Sequence, residues 1–443
     1  MGLRPSSGRR GTNGERPPVT EQKGLAAYIA VTAAYWGFML TDGALRMLVL
    51  LHFHGLGYSP VQLAYLFILY EIAGIVTNLS AGWIAARFGL SSTLFAGLSL
   101  QVVALLMLTQ LDPAWGLGAS VVYVMLVQGL SGVAKDLSKM SAKSAVKLLA
   151  PSAQGGLFRW VAVLTGSKNA VKGVGFFLGA ALLGLFGFDA SVLFMAGFLS
   201  LILLVLILKM PAGLPTGRKS AKFSEVFSKN SNINWLSFAR MFLFGARDAW
   251  FVVGIPIYFY AVLSDGTTEG NRAAFFLIGG FMAVWIILYG AVQASAPKLL
   301  KAKSRNLAAL IRDARVWGTA LIAIPAVLTG LVYATPEPAL WLTATIVAGL
   351  LGFGAIFAVN SSLHSYLILA FSSDERVTMD VGFYYMANAA GRLLGTLLSG
   401  LTYQLGGLPL CLATAAILLV LNVAGVARLR ANDPDPATGK SCA

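Results

Sequence analysis

Twelve apolar runs, each near the roughly 20 residues that a helix needs to cross a bilayer core of about 30 Å, divide this chain. They lie near 25–53, 60–86, 90–110, 117–134, 157–187, 190–209, 234–262, 272–296, 316–334, 338–368, 381–403 and 408–427. Lipid offers backbone polar groups no partner, so spans of this length must be helical. An all-α membrane protein follows. The composition agrees, since 57% hydrophobic against 12% charged residues is more apolar side chain than a soluble core of 443 residues can bury.

Breakers separate the runs: Gly55 to Pro60, Asp112-Pro113, Thr335 to Pro338 and Gly406-Gly407. The one long hydrophilic stretch inside the chain, 210–233, leaves six runs on either side. The predicted organisation is a disordered cytosolic tail (1–23), a six-helix half (24–209), a cytoplasmic linker (210–233), a second six-helix half (234–430) and a second tail (431–443). Asp42 to His54 aligns without a gap on Asp248 to Tyr260 in the first span of each half, and Asn169-Ala170 matches Asn388-Ala389 in the fifth. Six-plus-six duplication is the pattern of secondary transporters, with a cavity between the halves.

The net charge is +15, from 33 Lys+Arg against 18 Asp+Glu. With both termini placed in the cytoplasm, 26 cations fall in cytoplasmic segments and only Arg272 in the opposite loops. That bias satisfies the positive-inside rule, so the charge reports orientation in a plasma (bacterial inner) membrane and not nucleic acid. Six cations remain inside predicted spans: Arg46, Lys168, Lys172, Arg240, Arg247 and Arg392. Each costs roughly 2.5–3.5 kcal/mol at mid-membrane on insertion scales, so these side chains face water, protein or ligand. Lys168 and Lys172 share one helix face, as do Arg240 and Arg247, and converging cations of this kind hold phosphate-like or carboxylate anions.

Three acids are placed well inside spans, namely Asp42, Glu71 and Asp248. Asp42 stands four residues from Arg46 and Asp248 beside Arg247, so both are candidates for local ion pairs. Glu71 has no cation near it in sequence, which suits a proton-carrying carboxyl. Six cations against three acids leave a net +3 for a polyanion. Lys135, Lys139, Lys143 and Lys147 form an amphipathic stripe that fits either a helix resting on anionic lipid or an inner vestibule. Gly166, Gly173, Gly175 and Gly179 form a small-residue packing seam, and Asn360, Ser361, Ser362, His364 and Ser365 a polar cluster able to hydrogen-bond a ligand.

Other chemistries find little support. Cys411 and Cys442 make neither a disulfide framework nor a metal site, His52 and His54 lack a third ligand, and Gly439-Lys440-Ser441 lacks the leading glycine of a phosphate loop. No nucleophile with its base stands out. A transporter without cofactor is expected, not an enzyme.

Twelve spans in two halves resemble the major facilitator superfamily. Its marker after the second span, Gly-x-x-x-Asp-Arg-x-Gly-Arg-Arg, survives as Gly82, Arg87 and Gly89, with Ala86 for the Asp and Leu90-Ser91 for the closing basic pair. Four longer strings, Leu40 to Met47, Ala134 to Pro151, Leu164 to Gly179 and Phe242 to Val253, resemble the ArsJ family of organoarsenical efflux permeases found in bacterial arsenic-resistance operons. The likeness spans residues 25 to 428. It implies export of 1-arseno-3-phosphoglycerate, which glyceraldehyde-3-phosphate dehydrogenase makes when arsenate replaces phosphate, and which falls apart outside the cell. The expectation is a monomeric carrier whose cations bind the anion and whose Asp42, Glu71 or Asp248 carries the coupling proton in antiport. Its alternatives are an organic-phosphate exchanger or a drug/proton antiporter of the same superfamily.

Overall fold

The computed structural model describes residues 21–149, 156–209, 228, 230–300, 306–335, 337, 339–372 and 377–431. These form thirteen helices: α1 (Glu21–Gly55), α2 (Pro60–Tyr65), α3 (Ile68–Phe88), α4 (Leu90–Leu108), α5 (Leu117–Leu149), α6 (Gly156–Phe186), α7 (Phe188–Lys209), α8 (Ser231–Phe251), α9 (Gly254–Leu263), α10 (Thr268–Leu299), α11 (Leu307–Ala334), α12 (Leu340–Phe371) and α13 (Val377–Ala427). The tails and most of the linker lie outside the described residues, as do the side chains of Arg87, Lys143, Lys147 and Arg159.

Eleven stretches are long and apolar enough to cross a membrane. The last, Met379–Ala427, loses helical geometry at Gly406 and Gly407, which splits α13 into two crossings and makes twelve. The second and seventh crossings are each broken once. α2 gives way to α3 at Leu66-Phe67, and α8 to α9 at Val252-Val253. At the second break the freed N–H groups of Val253 and Gly254 both donate to Ser399 Oγ, at 3.2 and 3.1 Å. A packed neighbour thus satisfies backbone that lipid would leave orphaned.

Local sequence sets the helix ends. Ser59 caps α2 with a reciprocal box in which Ser59 N donates to Gln62 Oε1 at 2.8 Å, with Pro60 in the first turn. Asn230, Thr267 and Asn306 cap α8, α10 and α11 through their side-chain oxygens. Gly89 and Gly187 are one-residue connections at φ 78° and 76°, a backbone that favours glycine.

In the first half α1 packs on α6, and α4 on α5 and α7; in the second, α8 and α11 pack on α13, and α10 on α12. Glycines allow these approaches. Gly175 and Gly179 lie against the Leu40 and Ala44 carbonyls of α1, while Gly391 and Gly395 lie against the Met241 and Gly245 carbonyls of α8. The seam read from sequence is therefore a packing seam, and the second half repeats it. Valine at Gly391 would collide with Met241 O, so Gly391→Val should lower the melting temperature by the equivalent of about 1–3 kcal/mol or prevent folding. Gly197, with no atom near its missing side chain, is the control, and Gly197→Val should leave the melting temperature in detergent unchanged.

Two seams join the halves. α6 meets α10, where Asn169 Nδ2 donates to Gln293 Oε1 at 3.2 Å and Arg272 Nε to Gly184 O at 2.7 Å. α2 and α3 meet the first crossing of α13, from Gly400 beside the Pro60 carbonyl at one end to Gly382 beside the Asn78 carbonyl at the other. Around this bundle α7 turns Phe194, Leu201, Ile207 and Leu208 outward, as a lipid-facing helix does.

Candidate functional site

The predicted interior charges converge where α1, α3, α6, α8 and α13 meet. Asp42 on α1, 3% exposed, accepts from Lys172 Nζ of α6 at 2.7 Å and from the Tyr70 hydroxyl of α3 at 2.5 Å. Glu71 on α3, fully buried, accepts at a single oxygen, Oε1, from Arg46 Nη1 at 3.1 Å and Arg392 Nη2 at 2.6 Å. Arg392 Nε lies 3.4 Å from Asp248 Oδ2, and Asp248 Oδ1 takes Arg247 Nη2 at 2.6 Å. One chain of charges, Arg46–Glu71–Arg392–Asp248–Arg247, thus runs from the first half into the second.

Two expectations change here. Asp42 does not pair with Arg46 along its own helix: the touching backbones of α1 and α6 bring Lys172 to it, and Gly43 sits against the Lys172 carbonyl. Glu71 is not a lone carboxyl, because its two guanidinium partners come from other helices, 25 and 321 residues away. Arg247 and Asp248 do pair, as their adjacency suggests.

The halves also repeat an electrostatic unit. In each, a cation three residues before a seam glycine reaches the acid on the half's first helix: Lys172 (before Gly175) to Asp42, and Arg392 (before Gly395) to Asp248. Only Arg392 additionally holds an acid from the opposite half among these pairs.

Aromatic faces seat the cations. The Arg46 guanidinium carbon stands 4.8 Å from the Phe67 ring centre, Arg240 4.1 Å and Arg247 4.8 Å from the Phe244 ring, and Lys172 Nζ 5.9 Å from Phe176. Arg240, 3% exposed, is otherwise held by neutral groups: Ser361 O and Oγ at 3.1 and 3.0 Å, and Asn388 Oδ1 at 3.2 Å. The polar cluster of α12 therefore reaches the site through Ser361. Ser362 and Ser365 donate back to their own helix, and neither ring nitrogen of the buried His364 has a hydrogen-bond partner among the described residues. Lys168 stands one turn before Lys172, half-buried and in a contact of its own.

Sequence reading missed one cluster. Asp136 on α5 is fully buried and accepts from Thr77 Oγ1 at 2.5 Å and Lys139 Nζ at 3.1 Å, and Lys139 also donates to Asn78 Oδ1 at 2.6 Å. Lys135 is buried with its Nζ 4.0 Å from the Tyr70 ring centre and 4.0 Å from Asp136 Oδ2. The count of three interior acids is thus too low, and the first two lysines of the stripe lie between helices, because α5 continues past the expected end at 134 to Leu149. The polar pair Thr77-Asn78 within apolar α3 was the available signal.

The sequence matches the Major Facilitator Superfamily over residues 27–368, and no curated protein matches it. Among solved structures it is similar to a POT family transporter in complex with a thioalcohol-conjugated peptide, at 15% identity and TM-score 0.66, covering 91% of this chain and 95% of that one. A POT family transporter in complex with 5-aminolevulinic acid gives 15% identity and 0.66, with 92% and 98% covered. A variant of the nucleoside transporter NupG gives 15% identity and 0.64, with 92% and 98% covered. At these identities the structures show a shared fold. The chain belongs to the Major Facilitator Superfamily.

Proposed function

We propose that this transporter is a secondary active exporter of an anionic organoarsenical, 1-arseno-3-phosphoglycerate, and thereby confers arsenate resistance. The observation that carries the reading is the balance of buried charge around the meeting of the halves. Among the described residues seven cations, Arg46, Lys135, Lys139, Lys172, Arg240, Arg247 and Arg392, gather with four carboxylates, Asp42, Glu71, Asp136 and Asp248, and a fifth buried carboxylate, Asp380, stands in the first turn of α13. Unmatched charge in a low dielectric costs several kcal/mol per ion, and an anionic cargo supplies the missing counter-charge. Guanidinium edges suit the phosphate and arsenate groups, and the rings beneath them suit the carbon frame.

The carrier works as a monomer in the bacterial inner membrane, both termini in the cytoplasm, on the product of glyceraldehyde-3-phosphate dehydrogenase. Arg46, Lys168, Lys172, Arg240, Arg247 and Arg392 bind the anion. Protons entering at Glu71, Asp42 or Asp248 return the emptied carrier, which makes the exchange an antiport.

Everted membrane vesicles given arsenate, glyceraldehyde 3-phosphate, NAD and the dehydrogenase should accumulate arsenic. Equal accumulation without the dehydrogenase would rule out the organoarsenical, and accumulation unaffected by collapse of the pH gradient would rule out the proton step. Organic-phosphate exchange is the second reading. It is favoured by the absence of a thiol from the described charge network, since Cys411 is engaged with Thr402 instead and the remaining ligands read phosphate and arsenate alike. Exchange of external phosphate for a preloaded phosphate ester, without arsenic movement, would select it.

A further inference from the structure

Arg46 and Arg392 come from different halves, yet both donate to one oxygen, Glu71 Oε1. The other oxygen, Oε2, is buried without a hydrogen-bond partner among the described residues, and so is Arg46 Nη2. A carboxylate therefore serves two guanidiniums with half of its acceptors and leaves a charged donor unmet. A tetrahedral oxyanion placed between the same guanidiniums presents more oxygens in more directions, and can engage that donor while bridging the halves as Glu71 does.

We infer that Arg46 and Arg392 form an oxyanion seat across the two halves, that Glu71 is its resident anion, and that a phosphate or arsenate group of the cargo displaces the Glu71 carboxylate. The inference rests on the reading of an anion carrier and deepens it. In the unloaded protein the tie between halves is the chain's own carboxylate; in the loaded protein the cargo is the tie. Arg392 is suited to the exchange because its Nε remains beside Asp248 when its Nη2 changes partner. Lys172, its counterpart in the repeated unit, holds Asp42 of its own half. A further cation, Lys135, has its Nζ 3.8 Å from the side-chain position of Gly74, three residues along α3 from Glu71.

The probe is inorganic sulfate, a tetrahedral dianion whose charge does not change near neutral pH, titrated into the purified full-length protein in detergent. A resident competitor lowers apparent affinity by the fraction of time it occupies the seat. Glu71→Gln, which keeps the shape and removes the charge, should therefore bind sulfate at least about tenfold more tightly than the wild type, and Arg46→Gln should bind it at least about tenfold more weakly. Infrared difference spectra of the wild type should show a perturbed carboxylate band on sulfate addition, a readout that needs no variant to fold. Equal affinity of wild type and Glu71→Gln, no saturable sulfate binding, or an unperturbed carboxylate band would each overturn the seat. None of these results would touch dehydrogenase-dependent arsenic accumulation in vesicles, on which the carrier reading stands separately.

Discussion

Arg392→Leu should abolish arsenic accumulation in everted vesicles and destabilise the protein by about 3–5 kcal/mol, the range for removing one partner of a buried ion pair. The size follows from position. Arg392 Nη2 lies 2.6 Å from Glu71 and its Nε 3.4 Å from Asp248, so its loss weakens the neutralisation of two carboxylates that are 0% and 1% exposed. Arg392→Lys keeps the charge but cannot fork between two acids; it should fold while transporting at least about tenfold more slowly. Stability and transport then separate in the double variant Arg392→Leu/Glu71→Gln. With one stranded charge removed, the melting temperature in detergent should recover part of its loss, whereas transport should stay absent because the crossing between halves is still missing. Wild-type accumulation by Arg392→Leu would show that the central ion chain plays no part in transport.

Joining Gly74 and Ala389 by a disulfide should stop transport completely and reversibly. A side-chain carbon at Gly74 would lie 3.7 Å from Ala389 Cβ, close to the roughly 3.8 Å between the Cβ atoms of a relaxed disulfide. The two positions flank the Glu71–Arg392 contact by three residues each, on α3 and on the first crossing of α13, so the bond would hold the halves where their ionic tie holds them. In a Gly74→Cys/Ala389→Cys protein with Cys442→Ser, oxidation should reduce arsenic accumulation to background and reductant should restore it. A protease site in the 210–233 linker reports the bond, because cleaved halves then migrate together only when cross-linked. Full cross-linking with undiminished transport would show that α3 and α13 need not part here.

The crossings were legible in the sequence because each depends on its own residues. Seven of the nine singled-out charges, Asp42, Arg46, Glu71, Lys172, Arg247, Asp248 and Arg392, lie in the central network; these stood out because a charge in lipid is costly wherever its helix packs. Asp136 escaped notice, and the place of Lys135 and Lys139 stayed open, since a lysine stripe near a helix end reads the same in sequence whether it meets lipid headgroups or a neighbouring helix. Partner choice was less legible still. Asp42 has Arg46 one turn away and takes Lys172 instead, and Glu71, with no cation nearby in sequence, holds two.

By itself, then, the sequence determined that the chain crosses the membrane about twelve times, that the crossings fall into two related halves, and that fixed charges lie within them. Run length, breaker positions and the cost of charge in lipid are local quantities, set within a single helix. Only the tertiary structure decided which charges meet. That depends on the depth and rotation at which helices dock, which the Gly175–Gly179 and Gly391–Gly395 seams control by letting backbones touch, so Glu71 and Arg392 become neighbours through packing alone.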